Sequence, residues 1–418
     1  MAKTPPLDAR TLAWARGEFS RYYARAAVPA PERLDRREIA LFPFAEANLM
    51  RRHTAARSVE ELRRYLAAEI PRHVYYSSAY YRHPEAASMA AKEWFGADLI
   101  FDLDADHLRG AETLDYPGQL SLVKSRLIDL VDDFLVRDFG VSPRSTSFVF
   151  SGGRGYHVHV RDERFARLTS PERRELVDYI LGTNIDPKRA VERASADVRS
   201  GRTVAVADEA EAAPLGRRGR GASTLRLAPP DAPGWRGRTT RALLALLARW
   251  EAEGAPKAAS ELIGWGADAR KARRWAKFLV EEKRSERIRT TLALDVFGQE
   301  SPEEFLELVV RRAAIEVQGE TDAPVTTDIH RLIRLPGSLH GGTGFQVVPL
   351  SREAIDGFDP FASALLPDEG RRTTVELLAD VRYPFPDGGL VGRVGETVKL
   401  ATPRALFLVL RGEAALRP

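Results

Sequence analysis

The stretch FDLDADHLRG, residues 101–110, sets Asp102, Asp104 and Asp106 at alternate positions directly behind the run Gly96-Ala97-Asp98-Leu99-Ile100. The run reads as a buried strand. In a strand, residues i and i+2 point to the same face, so Asp102 and Asp104 stand side by side. Two carboxylates that close repel, and one is driven toward protonation unless a cation lies between them. The segment therefore reads either as a solvated turn that begins where the strand ends or as a divalent-metal site. The rest of the chain bears on that choice.

Composition narrows the chemistry. The chain has 418 residues, 44% hydrophobic and 29% charged, which suits a soluble globular protein of two or three domains. No apolar run approaches the ~18 residues needed to span a bilayer. The start, MAKTPPLDAR, lacks the apolar stretch of a signal peptide, so a cytoplasmic protein with no membrane partner is expected. There are no cysteines. Disulfides, thiolate catalysis, an iron–sulfur cluster and cysteine-ligated zinc are thereby excluded within this chain, and any metal must be held by oxygen or imidazole.

The net charge of +4 is a weak pointer to an anionic partner. Its distribution says more. Residues 216–238 hold six arginines against one acid, and residues 270–289 hold nine basic residues against three acids, with Trp275 and Phe278 among them. Cations interleaved with aromatics suit a phosphate backbone and stacked bases, although a single run of this kind is also what a solvated, ion-paired helix face looks like.

Periodicity predicts helices over 8–26 and 58–70, the second capped by Ser58, and over 116–140, closed by Gly140. Residues 170–182 open with a helix N-terminal signature. Strands are expected at 37–44, 73–81 and 98–106, and 145–160 reads as strand, glycine turn, strand. The segment 186–240 is rich in Arg, Gly, Ala and Pro without a clear period and reads as a linker or surface excursion. A helical block follows over 241–318, ending in SPEEFLELVVRRAAIEV. Residues 319–418 return to mixed structure, with short strands expected in TTVELLADVRYPF and ALFLVLRG. Four segments result: an N-terminal and catalytic core over 1–185, the excursion over 186–240, a helical subdomain over 241–318, and a return to the core over 319–418.

Two further motifs carry chemistry. In SGGRGYHVHV, 151–160, the glycines let backbone N–H groups approach a phosphate, Arg154 can supply a forked cation and Ser151 a hydroxyl. His157 and His159 fall on one face of the strand that follows. In TDAPVTTDIHRLIRLPGSLHGGTG, 321–344, Asp322, Asp328, His330, Arg331, Arg334 and His340 crowd around a Pro-Gly turn. Carboxylates for metal, with arginine and histidine for a triphosphate, fit nucleotidyl transfer better than hydrolysis of a neutral substrate.

Taken together and in order, FDLDAD, SGGRGYH and RLIRLPGSLHG resemble the catalytic, small subunit of archaeal and eukaryotic DNA primase. REIALFPF, VYYSSAYY and ALFLVLRGEA resemble that family's N-terminal and C-terminal regions, so the likeness covers most of the chain. The resemblance implies an α/β (α+β) fold: a primase-type core of mixed sheets with flanking helices, plus a small helical subdomain inserted before the third motif.

It also implies roles. Asp102 and Asp104 become the paired metal-binding carboxylates for two Mg²⁺ or Mn²⁺ ions. Asp322, ahead of a PVT stretch, matches the third carboxylate, with Asp328 as the alternative. Ser151, Gly153, Arg154 and His157 match the triphosphate-binding turn, and Arg334 and His340 a second set of phosphate contacts. Asp106 reads as a turn or supporting acid. The implied activity is DNA-templated synthesis of short primers from nucleoside triphosphates on single-stranded DNA, in a heterodimer with a large subunit that carries the iron–sulfur cluster.

The chain departs from the family twice. Many relatives carry a cysteine-rich zinc knob after the first motif, where this chain has HLRGAETLDYPGQ, and some carry a lysine where it has Gly342. The competing readings are a template-directed polymerase of the end-joining or primase-polymerase type, and a non-catalytic nucleic-acid-binding protein on the same fold.

Overall fold

A computed structural model describes residues 8–44, 49–183, 191–196, 203–205, 223–297, 302–310, 312 and 320–417. The chain divides into two compact units. One comprises Met1–Asp132, Gly140–Val177 and Glu320–Pro418; the other comprises Asp133–Phe139 and Asp178–Gly319.

In chain order the strands are β1 (Ile39–Phe42), β2 (Arg51–Thr54), β3 (His73–Ser77), β4 (Ala79–Tyr81), β5 (Trp94–Ala97), β6 (Leu99–Asp104), β7 (Thr146–Phe150) and β8 (Gly155–Val160). They continue as β9 (Val191–Ala196), β10 (Thr203–Ala205), β11 (Ser223–Leu227), β12 (Leu332–Arg334) and β13 (Val348–Leu350). The first unit holds two four-stranded antiparallel sheets, ordered β12-β3-β1-β2 and β13-β7-β8-β6. Late strands β12 and β13 complete sheets begun by early ones, which brings the third motif to the first two.

Local sequence accounts for the helices around these sheets. Asp8 caps Ala9–Arg25 by accepting from the N–H groups of Arg10 and Thr11. Ser58 caps Val59–Glu69 by accepting from Glu61 N–H. Phe19, Tyr23, Leu62 and Leu66 from these helices pack with Val74, Tyr76 and Ile333 of the first sheet in one apolar core. The helix Tyr116–Asp129 begins at Asp115, which accepts from Gly118 N–H.

Two expectations need correction in this unit. The run 73–81 is not one strand, because Ser78 donates its N–H to the Arg331 carbonyl and accepts from Asp98 N–H, and the chain changes sheets there. ALFLVLRG is not a strand either: Thr402–Leu410 is a helix, with Pro403 in its first turn and Ala405 through Leu410 all buried. A short run that is apolar on every side shows no period, so alternation cannot separate a buried strand from a buried helix.

The second unit is helical with one three-stranded antiparallel sheet, β10-β9-β11. Within 186–240 the described residues form those three strands and the start of the helix Gly234–Glu253, whereas 186–190, 197–202 and 206–222 lie outside the described residues, and with them much of the first arginine-rich run. The tail of the helical block, 313–317, also lies outside them.

Of the two aromatics in the second basic run, Trp275 is not exposed for stacking on bases. Trp275 is 1% exposed and packs edge-on against Phe297 and Phe305. Phe278 lies beneath the Arg284 guanidinium at 4.2 Å. Arg287 pairs with Asp295 and Arg289 with Glu251, so much of this run is an ion-paired helix face. Arg238, from the first run, is buried on Asp138 at 2.8 Å and stacked on Phe134. No helix among the described residues is long and apolar enough to cross a membrane.

Candidate active site

Strand β6 pairs antiparallel with β8, setting Asp102 opposite His157 and Asp104 opposite Gly155. Gly155 allows this approach: a Cβ there would meet the Leu103 carbonyl oxygen at 2.6 Å. Between β7 and β8 the chain turns through Ser151–Arg154. Gly152 makes the turn at φ +75°, and a Cβ on it would strike the His340 Cβ at 2.7 Å. The glycine turn thus lies directly on the third motif. Thr343 fastens it there by donating its hydroxyl to the Gly152 carbonyl at 2.5 Å.

These elements surround an open cavity of about 660 Å³. Asp102, Asp104, Ser151, Gly153, Arg154, His157, Arg334 and His340 all line it. Asp322 is not among the lining residues. It joins the site through Asp102 instead, its backbone N–H donating to the Asp102 carbonyl at 2.8 Å. Asp328 is exposed and accepts from His330 N–H at 2.9 Å, the geometry of a local turn.

The electrostatics follow from crowding. Burial, then the charges of Asp104 and Asp322, push the Asp102 carboxyl up to about 7, against the pull of Arg331 and Arg334. Arg154 is held near the acids by a short ion pair with Asp106 and stands 3.9 Å from Asp104. Arg334 donates to His73 Nδ1 at 2.7 Å and lies over the Tyr75 ring. Burial lowers the basicity of this guanidinium, yet an arginine remains charged. Burial also holds His157 and His340 well below the ordinary histidine range, with Arg334 adding to the effect in both, so both imidazoles are neutral.

Two other histidines lie elsewhere. His330 accepts or donates at Tyr81 Oη (3.1 Å), and His107 sits in an exposed turn after β6. The cavity also includes residues that sequence reasoning missed: Tyr75, Tyr116, Gln119, Thr343 and Arg411. Tyr116 donates to the Gly153 carbonyl at 2.6 Å, and Arg411 lies over the Tyr116 ring at 4.1 Å. Thr343 closes the third motif itself, whereas Tyr75, Tyr116, Gln119 and Arg411 come from strand β3, the helix Tyr116–Asp129 and the end of the helix Thr402–Leu410, where nothing in the local sequence sets them apart.

The donor set fits a hard divalent cation, for it consists of carboxylate oxygens whose mutual repulsion a cation would relieve. Among the described residues no three acidic or imidazole groups converge closely enough to enclose an ion by themselves. A cation here would draw its remaining ligands from water and substrate oxygens, as Mg²⁺ commonly does.

Acids, cations and neutral imidazoles line one cavity, a composition suited to polyphosphates. Comparison with known proteins makes the class specific. A family model described as DNA primase small subunit matches residues 101–352. The DNA primase small subunit PriS of Methanocella arvoryzae is 38% identical over 99% of this chain and 100% of the relative. PriS of Methanothrix thermoacetophila is 37% identical over 98% and 99%, and PriS of Halobacterium salinarum 38% over 98% and 99%. The chain belongs to the DNA primase small subunit family.

Proposed function

We propose that this chain is the catalytic subunit of a primase that joins nucleoside triphosphates into short primers on single-stranded DNA, using two Mg²⁺ or Mn²⁺ ions. The observation that carries this reading is the placement of Asp102 and Asp104 on the same cavity wall system as the Ser151–Arg154 turn and His340, with Asp322 tied to Asp102. Asp102, Asp104 and Asp322 would hold the ions. Bound there, the ions supply neutralisation of the triphosphate and acidification of the attacking hydroxyl.

The chain's own residues supply positioning. Arg154 and Arg334 offer fixed cations to phosphate oxygens, and His157 and His340 offer neutral ring nitrogens that cost little to desolvate. Ser151, whose Oγ accepts from Gly153 N–H at 3.3 Å, keeps its hydroxyl proton for a substrate oxygen. The relatives' name, small subunit, supports a heterodimer with a large subunit, and a single-stranded template would be the second macromolecular partner.

The test is nucleotide incorporation on single-stranded DNA with Mg²⁺ or Mn²⁺, with and without a supplied primer, for the wild type and Asp104→Ala. Synthesis on unprimed template, lost in the variant, is the expected result. Extension only of a supplied primer would favour the primase-polymerase reading. No incorporation, even with the large subunit present, would leave a binding protein.

A further inference from the structure

His157 is 1% exposed and lines the cavity, and its Nε2 has no hydrogen-bond partner among the described residues. Its other nitrogen, Nδ1, lies 2.7 Å from His159 Nε2. One of those two nitrogens must donate and the other accept. The direction of that single bond decides what His157 shows to the cavity: a proton on Nε2, or a lone pair.

The direction can be read from the far end of the chain of groups. His159 is fully buried, and its Nδ1 lies 3.4 Å from the hydroxyl of Tyr76, which is fully buried as well. The Tyr76 hydroxyl has no other hydrogen-bond acceptor among the described residues, so its proton needs His159 Nδ1, the one in reach. If His159 Nδ1 accepts, a neutral His159 carries its proton on Nε2 and donates to His157 Nδ1. His157, also neutral, then carries its proton on Nε2.

The competing arrangement would put the His159 proton on Nδ1, toward the Asp98 carboxylate at 3.8 Å. Asp98 is already engaged by Arg37 at 2.8 Å and by the Tyr80 hydroxyl. That arrangement would strand the buried Tyr76 proton and leave His157 facing the cavity with a lone pair. A stranded buried donor keeps its full desolvation penalty, and a lone pair would repel phosphate oxygens.

We propose that Tyr76 and His159 are positioning residues that hold His157 in the tautomer protonated on Nε2, so that an N–H donor faces the phosphates of the incoming nucleotide. The inference rests on the reading of the cavity as a triphosphate site. Tyr76 belongs to β3 of the first sheet and His159 to β8 of the second, with their rings stacked 6° from parallel. The donor's orientation is thus set by contact between two sheets rather than by the glycine turn that it serves.

The experiment uses the full chain with ¹⁵N-labelled histidine. Long-range ¹H–¹⁵N correlation spectra should show His157 Nε2 protonated in the wild type; protonation on Nδ1 would overturn the proposal without any variant. Tyr76→Phe removes one oxygen and little volume. It should weaken binding of inorganic triphosphate about tenfold and raise the nucleotide KM by a similar factor, with kcat changed less than about twofold. A His157 tautomer and a triphosphate affinity unchanged by Tyr76→Phe would also overturn it. Failure of the primase reading is separable, since it would appear as absent incorporation in a wild type whose tautomer and triphosphate affinity are as stated.

Discussion

The backbone N–H of Asp322 donates to the carbonyl of Asp102 at 2.8 Å, so the start of the third motif is stitched to the strand that carries the first. Asp322 caps the short helix Ala323–Thr327 without using its carboxylate for the cap. That carboxylate stays available, and its charge is felt at Asp102. Asp328, six residues on, spends its carboxylate on His330 N–H. Asp322→Asn should therefore lower nucleotide incorporation about a hundredfold or more, whereas Asp328→Asn should stay within a few-fold of wild type. Steady-state rates at saturating Mn²⁺ check this, and the reverse ranking would transfer the third carboxylate to Asp328.

Ionising Asp102, whose carboxyl burial and the charges of Asp104 and Asp322 push up to about 7, comes at a cost to the fold at neutral pH and above. Removing its charge while keeping its shape should stabilise the metal-free protein. Asp102→Asn is expected to gain about 1–2 kcal/mol in unfolding free energy in EDTA and to lose incorporation activity. Urea unfolding with and without Mn²⁺ provides the check: the ion should stabilise the wild type far more than the variant. A variant less stable than wild type in EDTA would mean that the acids are satisfied as they stand.

The elements legible in the sequence were those whose determinants are local. Alternation marked β6, glycines marked the turn at 152, and Asp8 and Ser58 sit where a helix must end its free N–H groups. What stayed hidden depends on partners far along the chain. The helix Thr402–Leu410 is apolar all round because it is covered on every side, and so it carries no period. Arg411 and Tyr116 enter the cavity only because the helices that carry them pack there. Trp275 looked like a base-stacking platform because its neighbours in sequence are cationic, but its own side of the helix faces inward.

That burial of Trp275 separates two roles. With 1% exposure and edge contacts to Phe297 and Phe305, it belongs to the core of the second unit. Trp275→Ala should cost about 3–5 kcal/mol, seen as a lower denaturation midpoint. Affinity for single-stranded DNA, measured well below that midpoint, should change little. Weaker DNA binding with unchanged stability would restore the stacking role.

Glu38, just ahead of β1, ties β2 and the turn that carries Lys92 to the first sheet through buried charge. Its carboxylate takes both prongs of Arg52 at 3.0 Å, the Lys92 ammonium at 2.9 Å and the His53 N–H at 3.0 Å, with no exposure of its own. Burial opposes its ionisation, but Arg52, Lys92 and the backbone donor outweigh that and hold it at about 2, against 4.5 for an ordinary glutamate. The folded state therefore binds this proton more weakly than the unfolded chain does. The stabilisation, about 3 kcal/mol by linkage, is complete above pH ~4.5 and fades as pH falls toward 2. Glu38→Gln keeps the shape, leaves Arg52 and Lys92 without their counter-ion, and should lower the melting temperature at pH 7. The gap between variant and wild type should narrow steadily from pH 5 to pH 3. A gap constant over that range would show that the cluster contributes through packing rather than charge.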